Sequence, residues 1–170
     1  AFGENKIQEL SRKMDELSNH DIEWHMIGAL QSNKIKYMAH RVDWIHSIPK
    51  IKTLNEVEKR ANQHHRVIKC LIQVNISDED QKSGCSPDQL PKLLNEAQSL
   101  EHVEIRGLMG IATLTDDLDV IRKEFRMLRN LRDQYAADYS GNIQLEHLSM
   151  GMTDDLEIAI EEGATMVRIG

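Results

Sequence analysis

What most constrains this chain is alternation. Short β-rich runs and longer stretches of helical period succeed one another from end to end. The strongest β run, "RVIKCLIQVNI", is nearly continuous in apolar residues, as expected of a strand buried on both faces. Runs of this kind separated by amphipathic helices build βα units and hence a parallel sheet. The stretch "NKIQELSRKMDEL" places Ile7, Leu10, Met14 and Leu17 on one stripe. Ile51, Leu54, Val57 and Ala61 do the same in "KIKTLNEVEKRANQ", and Leu118, Ile121, Phe125, Leu128 and Tyr135 in a later long helix. Shorter helices are expected at "SNKIKYMAH", with Ser32 as a cap, at "SPDQLPKLLNEAQSL" and at "DDLEIAIEEG", which Gly163 would end. In the second of these, Ser86, Pro87 and Gln89 form the pattern of a capping box, and Pro91 disturbs the next turn. Counting "AFGEN" as the end of a strand, the β runs number seven, the last being "TMVRIG".

Two architectures can hold such a chain: an open doubly wound sheet or a TIM-type (β/α)8 barrel. No GxGxxG turn follows the first β run, which argues against the open sheet. In a barrel the site lies at the C-terminal strand ends. Here those ends are polar or glycine-rich: Glu4-Asn5, Gly28, Ser47, Asn75, Ala112-Thr113, Ser149 and Arg168-Gly170. The 170 residues fall short of the roughly 200 from which complete barrels run. The expectation is therefore one domain, residues 1–170, folded as an α/β barrel without its first strand and last helix.

Composition narrows the function. The net charge of −7 disfavours broad binding to nucleic acid or anionic membranes. No apolar run approaches the length of a membrane span, and no signal-peptide pattern opens the sequence. Cys70 and Cys85 form no CxxC, and Cys70 reads as a buried free thiol, which suits a reducing cytosol. The eight histidines show no metal-ligand spacing.

Two stretches carry chemistry. In "LSMGMTDD" a strand passes through a turn of small residues into a helix N-terminus, a place suited to phosphate. Taken alone, the same residues read rather as an ordinary βα turn, with Thr153 as N-cap and Asp154 and Asp155 answering the dipole, because those acids compete with an anion. In "VRIG", Arg168 stands among apolar residues, where an unpaired guanidinium is costly. Aimed at a heteroaromatic nitrogen, it would donate a hydrogen bond without giving up its proton. Together the two strand ends could clamp a phosphorylated ring.

The stretches "FGENKIQE", "EWHMIGALQSNK", "LIQVNISDEDQKSG", "RGLMGIA", "LSMGMTDD" and "ATMVRIG" resemble, in this order, signature stretches of the pyridoxal-phosphate homeostasis protein family, whose members look like the barrel domain of alanine racemase. The resemblance covers the whole chain. It implies a cytoplasmic barrel that binds, buffers or delivers pyridoxal 5'-phosphate without catalysing a reaction. It implies Asn5 near the cofactor, and Ser149, Met150, Gly151 and Gly170 around the phosphate. Arg168 would face the pyridine nitrogen, while His25, Gly28, Gln31, Asn33 and Lys34 line the barrel mouth. His25 reads equally as a buried structural histidine. The family's Schiff-base lysine belongs to a strand upstream of "FGEN" and is absent from these 170 residues. Lys34 and Lys82, both in loops, are not expected to replace it. The alternatives are an amino-acid racemase-like enzyme on the same cofactor, or an inactive barrel fragment. A racemase needs acid and base groups on opposite ring faces, yet Tyr37, Tyr135 and Tyr139 all fall outside the expected strand ends. Expected partners are pyridoxal phosphate and, through open barrel edges, a second copy of the chain; nucleic acid and membrane are not.

Overall fold

A computed structural model describes residues 1–78 and 83–170. The strands are β1 (Phe2–Glu4), β2 (Trp24–Met26), β3 (Trp44–Ile48), β4 (Ile68–Gln73), β5 (Val103–Met109) and β6 (Ile143–Ser149). Between them run α1 (Ile7–Glu16), a 3-10 turn (Ser32–Tyr37), α2 (Ile51–Gln63), α3 (Leu90–Ala97) and α4 (Leu118–Ala136), and α5 (Leu156–Glu161) follows β6. All pairings are parallel, and the strand order in space is the order in sequence. A doubly wound sheet reverses direction at a switch point. This sheet has no reversal, so it is the barrel-type arrangement.

Strands β2, β3 and β4 bury both faces, and every second side chain points to the helices. Trp24 and Met26 of β2, Ile45 of β3, Ile68, Cys70 and Ile72 of β4, and Val103 and Ile105 of β5 pack against the helices. The helices answer with Ile7, Leu10 and Met14, with Leu54, Val57 and Ala61, and with Ile121, Phe125 and Leu128. Each large side chain so buried contributes about 1.5–3 kcal/mol relative to exposure. The inner face carries a smaller apolar cluster of Trp44, Leu71 and Met109, joined by Ile111 and Met166. Both cysteines are buried free thiols. Burial pushes the Cys85 thiol up to about 11 and Cys70 further in the same direction.

Four local expectations need correction or refinement. The expected seventh strand is reduced to one parallel bridge, Ser149 to Met166, although Met150 N–H still donates to the Met166 carbonyl and Arg168 N–H to that of Gly151. Leu118 leaves the α4 stripe and is exposed, because Asp117, the cap, sets the first turn off the core. Ser32 does not cap; it is the first residue of its 3-10 turn, and Gln31 precedes it. Ser86 and Gln89 do form the capping box, at 3.3 and 3.0 Å, but on a 3-10 turn (Pro87–Gln89) that leads into α3. Pro91 has no N–H to offer a regular first α-turn there.

Helix α5 is tied to α4 by the carboxylates of Glu161, which pairs with Arg122, and above all of Glu162. The Glu162 side chain, 3% exposed, forms ion pairs with Arg122, Arg126 and Arg129 at 2.8–3.2 Å. These arginines stand at i, i+4 and i+7, on one face of α4. Gly163 ends α5 as expected, at φ +96°.

Candidate functional site

The inner face turns polar at the C-terminal ends of β2, β3 and β6. Ser149, the last residue of β6, is fully buried. Its Oγ accepts from Arg168 Nη1 at 2.7 Å, and Arg168 Nη2 donates to the Gly110 carbonyl at 3.1 Å. The guanidinium thus spans the ends of β5 and β6. Among the described residues no carboxylate lies within ion-pair distance of it. Burial lowers its affinity for its proton, an effect Asp155 partly offsets. An arginine nevertheless stays charged.

Behind Ser149 stands His46 of β3, 3% exposed, with Nδ1 at 2.8 Å from Ser149 Oγ. His46 Nε2 lies 2.8 Å from His25 Nδ1, and His25 Nε2 lies 2.9 Å from Glu23 Oε1. The five side chains form one hydrogen-bonded row. Its ends fix its direction. Arg168 can only donate and the Glu23 carboxylate can only accept. Ser149 therefore donates to His46 Nδ1, His46 Nε2–H donates to His25 Nδ1, and His25 Nε2–H donates to Glu23. Both histidines are neutral in this assignment. Burial, with the Arg168 charge nearby, pushes His46 down to about 3, and burial lowers His25 despite Glu23. The Trp44 ring stacks on His25 at 5.5 Å and 15°.

The "LSMGMTDD" turn depends on Gly151. Its φ is +97°, and a Cβ there would stand 2.5 Å from that of Ala159. The Met152 N–H donates to Asp155 Oδ1 at 2.6 Å, whereas the N–H groups of Gly151, Thr153 and Asp154 have no hydrogen-bond partner among the described residues. Asp155, not Thr153, occupies the N-cap of α5. The turn is thus partly answered by its own acid and partly open.

Two adjoining cavities flank this row. One, of about 280 Å3, is lined by Ala1, Gly3, His25, His46, Arg168 and Ile169. The other, of about 350 Å3, is lined by Asn5, Gly28, Gln73, Asn75, Ser83 and Met109. Ile27 borders both. The structure therefore brings Ser149, Gly151 and Arg168 together and sets Asn5 in the neighbouring chamber. Gly28 is needed there: a Cβ would fall 2.0 Å from the Asn5 carbonyl oxygen. The Met150 side chain is wholly buried in the helix–sheet core, and its N–H is taken by Met166, so it offers neither to the mouth. Gly170 is exposed, with open space around it. Gln31 and Lys34 line a separate groove with Asn5 and Ile7, and Asn33 is exposed. Lys82 lies outside the described residues. The reading of His25 as buried holds, with the addition that it is linked to the site. His46 was not singled out in the sequence. Its signal was of the same kind as that of Arg168: a polar ring inside an otherwise apolar strand, here beside Ser47 in "WIHSI".

The sequence profile of the family described as alanine racemase, N-terminal domain, matches residues 1–170. A pyridoxal phosphate homeostasis protein from Aquifex aeolicus is 44% identical over 170 residues, all of this chain and 74% of that protein. Another, from Pasteurella multocida, is 41% identical over 172 residues, all of this chain and 73% of that one. Among solved structures, PipY of Synechococcus elongatus without PLP superposes with a TM-score of 0.93 at 35% identity, covering 99% of this chain and 79% of PipY. The same protein with PLP bound gives 0.89 at 33% identity, with 99% and 78% covered. An alanine racemase from Clostridium difficile shares the fold, with a TM-score of 0.80 at 10% identity, 99% of this chain and 43% of that one being covered. In sequence and in fold, the chain belongs to the pyridoxal phosphate homeostasis protein family.

Proposed function

We propose that this chain binds pyridoxal 5'-phosphate in the cytoplasm and handles it as cargo, without catalysing a reaction on it. The observation that carries this is Arg168. A guanidinium held by Ser149 and Gly110, lining a cavity and free of any carboxylate, is a donor in want of a neutral acceptor. The pyridine nitrogen is such an acceptor. The fit extends to the phosphate, for which the N–H groups of Gly151, Thr153 and Asp154 stand open. A Cβ at Gly151 would close the turn that presents them. Ser149 enters this reading as the anchor of Arg168, because its hydroxyl is engaged on both sides. Asn5 would face the cofactor from the adjoining chamber. Gly170 would contribute its backbone only, and Met150 would act from the core side, holding the turn in place.

When bound, the cofactor supplies an aldehyde that condenses with amines and a ring that accepts electrons. The chain's own residues would temper the second property. Arg168 donates a hydrogen bond but does not protonate the ring nitrogen, so the ring remains a weak electron sink. Tyr139 donates to Asn95 at 2.9 Å, and Tyr135 packs on the helix side of the sheet, both away from the cavities. The row of neutral histidines orients Arg168 rather than offering a second acid–base pair.

Titration with pyridoxal phosphate, followed by calorimetry, tests the reading. Binding should be competed by inorganic phosphate and weakened about tenfold or more in Arg168→Gln, the worth of a charge-assisted hydrogen bond. Unchanged affinity in that variant would remove Arg168 from the site.

A further inference from the structure

The row from Arg168 to Glu23 leaves a question that cofactor binding does not answer. Two neutral histidines are buried in the barrel, at 3% and 8% exposure, and neither need touch a ligand for the turn and arginine to work. Burying polar groups costs free energy unless each is satisfied. Here each is satisfied by the next, and the row ends on Arg168.

We propose that His46, braced by His25, is a positioning residue that makes Arg168 read the ring nitrogen of its ligand. The inference rests on the cofactor-binding reading and adds to it the element that sets specificity. A serine hydroxyl rotates freely and can donate or accept. His46 Nδ1, at 2.8 Å, takes the Ser149 hydrogen and turns the oxygen lone pairs toward Arg168 Nη1 at 2.7 Å. His46 can do this only while Nδ1 is unprotonated, hence with its hydrogen on Nε2. His25 Nδ1, at 2.8 Å, accepts that hydrogen. Glu23, at 2.9 Å, holds His25 in the matching tautomer. Trp44 stacked on His25 keeps the ring from swinging out.

The result is a guanidinium fixed on two sides, with the remaining N–H groups committed in direction. Such a donor favours an aromatic ring bearing a lone pair and discriminates against an isosteric ring that lacks one. If the row is broken, the hydroxyl turns and Arg168 gains freedom. The ligand's phosphate would still bind, but the nitrogen would no longer be read.

The test compares pyridoxine 5'-phosphate, whose alcohol cannot condense with lysines, with its benzene analogue, in which C–H replaces the ring nitrogen. Affinities are measured by calorimetry for the wild type and for His46→Gln, His46→Leu and Ser149→Ala. The wild type should prefer the pyridine about tenfold, one charge-assisted hydrogen bond. His46→Gln carries one acceptor and one donor and should keep that preference. His46→Leu and Ser149→Ala should bind both ligands within about threefold of each other. A merely structural role for His46 would weaken both ligands alike and leave their ratio unchanged, which would overturn the proposal. If His46→Leu does not fold, Ser149→Ala decides. A wild type that binds both ligands equally overturns this inference and leaves cofactor binding standing. A wild type that binds neither overturns both.

Discussion

His46 should leave a measurable mark on acid stability. Its imidazole titrates at 6.5 when free and is held down at about 3 in the fold. Between those values the unfolded chain takes up a proton that the folded chain refuses. The contribution of His46 is therefore intact above pH 6.5 and is lost progressively as pH falls toward 3. One pH unit within that window is worth about 1.4 kcal/mol. Going from pH 7 to pH 5 should cost about 2 kcal/mol through His46 alone. For a chain of this size that is a drop in Tm of about 4–8 °C. His25, His40 and His147 are also lowered, chiefly by burial, and add losses of the same sign. The depressed carboxylates Glu4, Glu23 and Glu162 lose their contribution further into the acid range, below their ordinary values. These background terms are isolated by difference. Urea unfolding of the wild type and His46→Gln at pH 7, 6 and 5 should give curves that converge by about 2 kcal/mol as pH falls. Curves that stay parallel to within about 0.5 kcal/mol would show that His46 accepts a proton in the folded state, and the direction assigned to the row would fail with it.

Two further outcomes are expected. Glu162→Gln removes the charge that collects Arg122, Arg126 and Arg129, and should cost about 1 kcal/mol in chemical denaturation; the carboxylate lies under partly exposed arginines, which screens the loss. The same variant should lose part of the acid sensitivity below pH 4.5, because the arginines hold this carboxyl below its ordinary value.

Much of the fold was legible because its signals are local. Apolar stripes at helical spacing marked α1, α2 and α4, and the Ser86–Gln89 box marked the 3-10 turn that leads into α3. Where the reading slipped, spacing and composition alone did not decide. Leu118 fits the α4 stripe by spacing, but the path of the preceding loop places it outside the core. "TMVRIG" has the composition of a strand yet pairs on one side only, with the end of β6 and the residues just after it. The site shows the same division. Arg168 stood out as a charge in an apolar run, and its partner Ser149 lay in a recognisable turn. The role of His46 could not be read from its neighbours, since nothing near it in sequence explains it. Met150 shows the converse: it sits in the right turn, but its side chain belongs to the core.

The bond between His46 and Ser149 joins residues 103 apart in sequence, whereas the next widest side-chain hydrogen bond among the described residues, Arg168 to Gly110, spans 58. Because each strand pairs with its sequence neighbour, most of this sheet can assemble by short steps, each closing a modest loop. The row across the barrel is different. It requires β2, β3 and β6 to be in place together, so its bonds form after the strands they join. Interactions absent from the folding transition state act on the rate of unfolding rather than of folding. The histidines would then serve as a latch on a barrel already built, slowing its opening at the end where a ligand would sit.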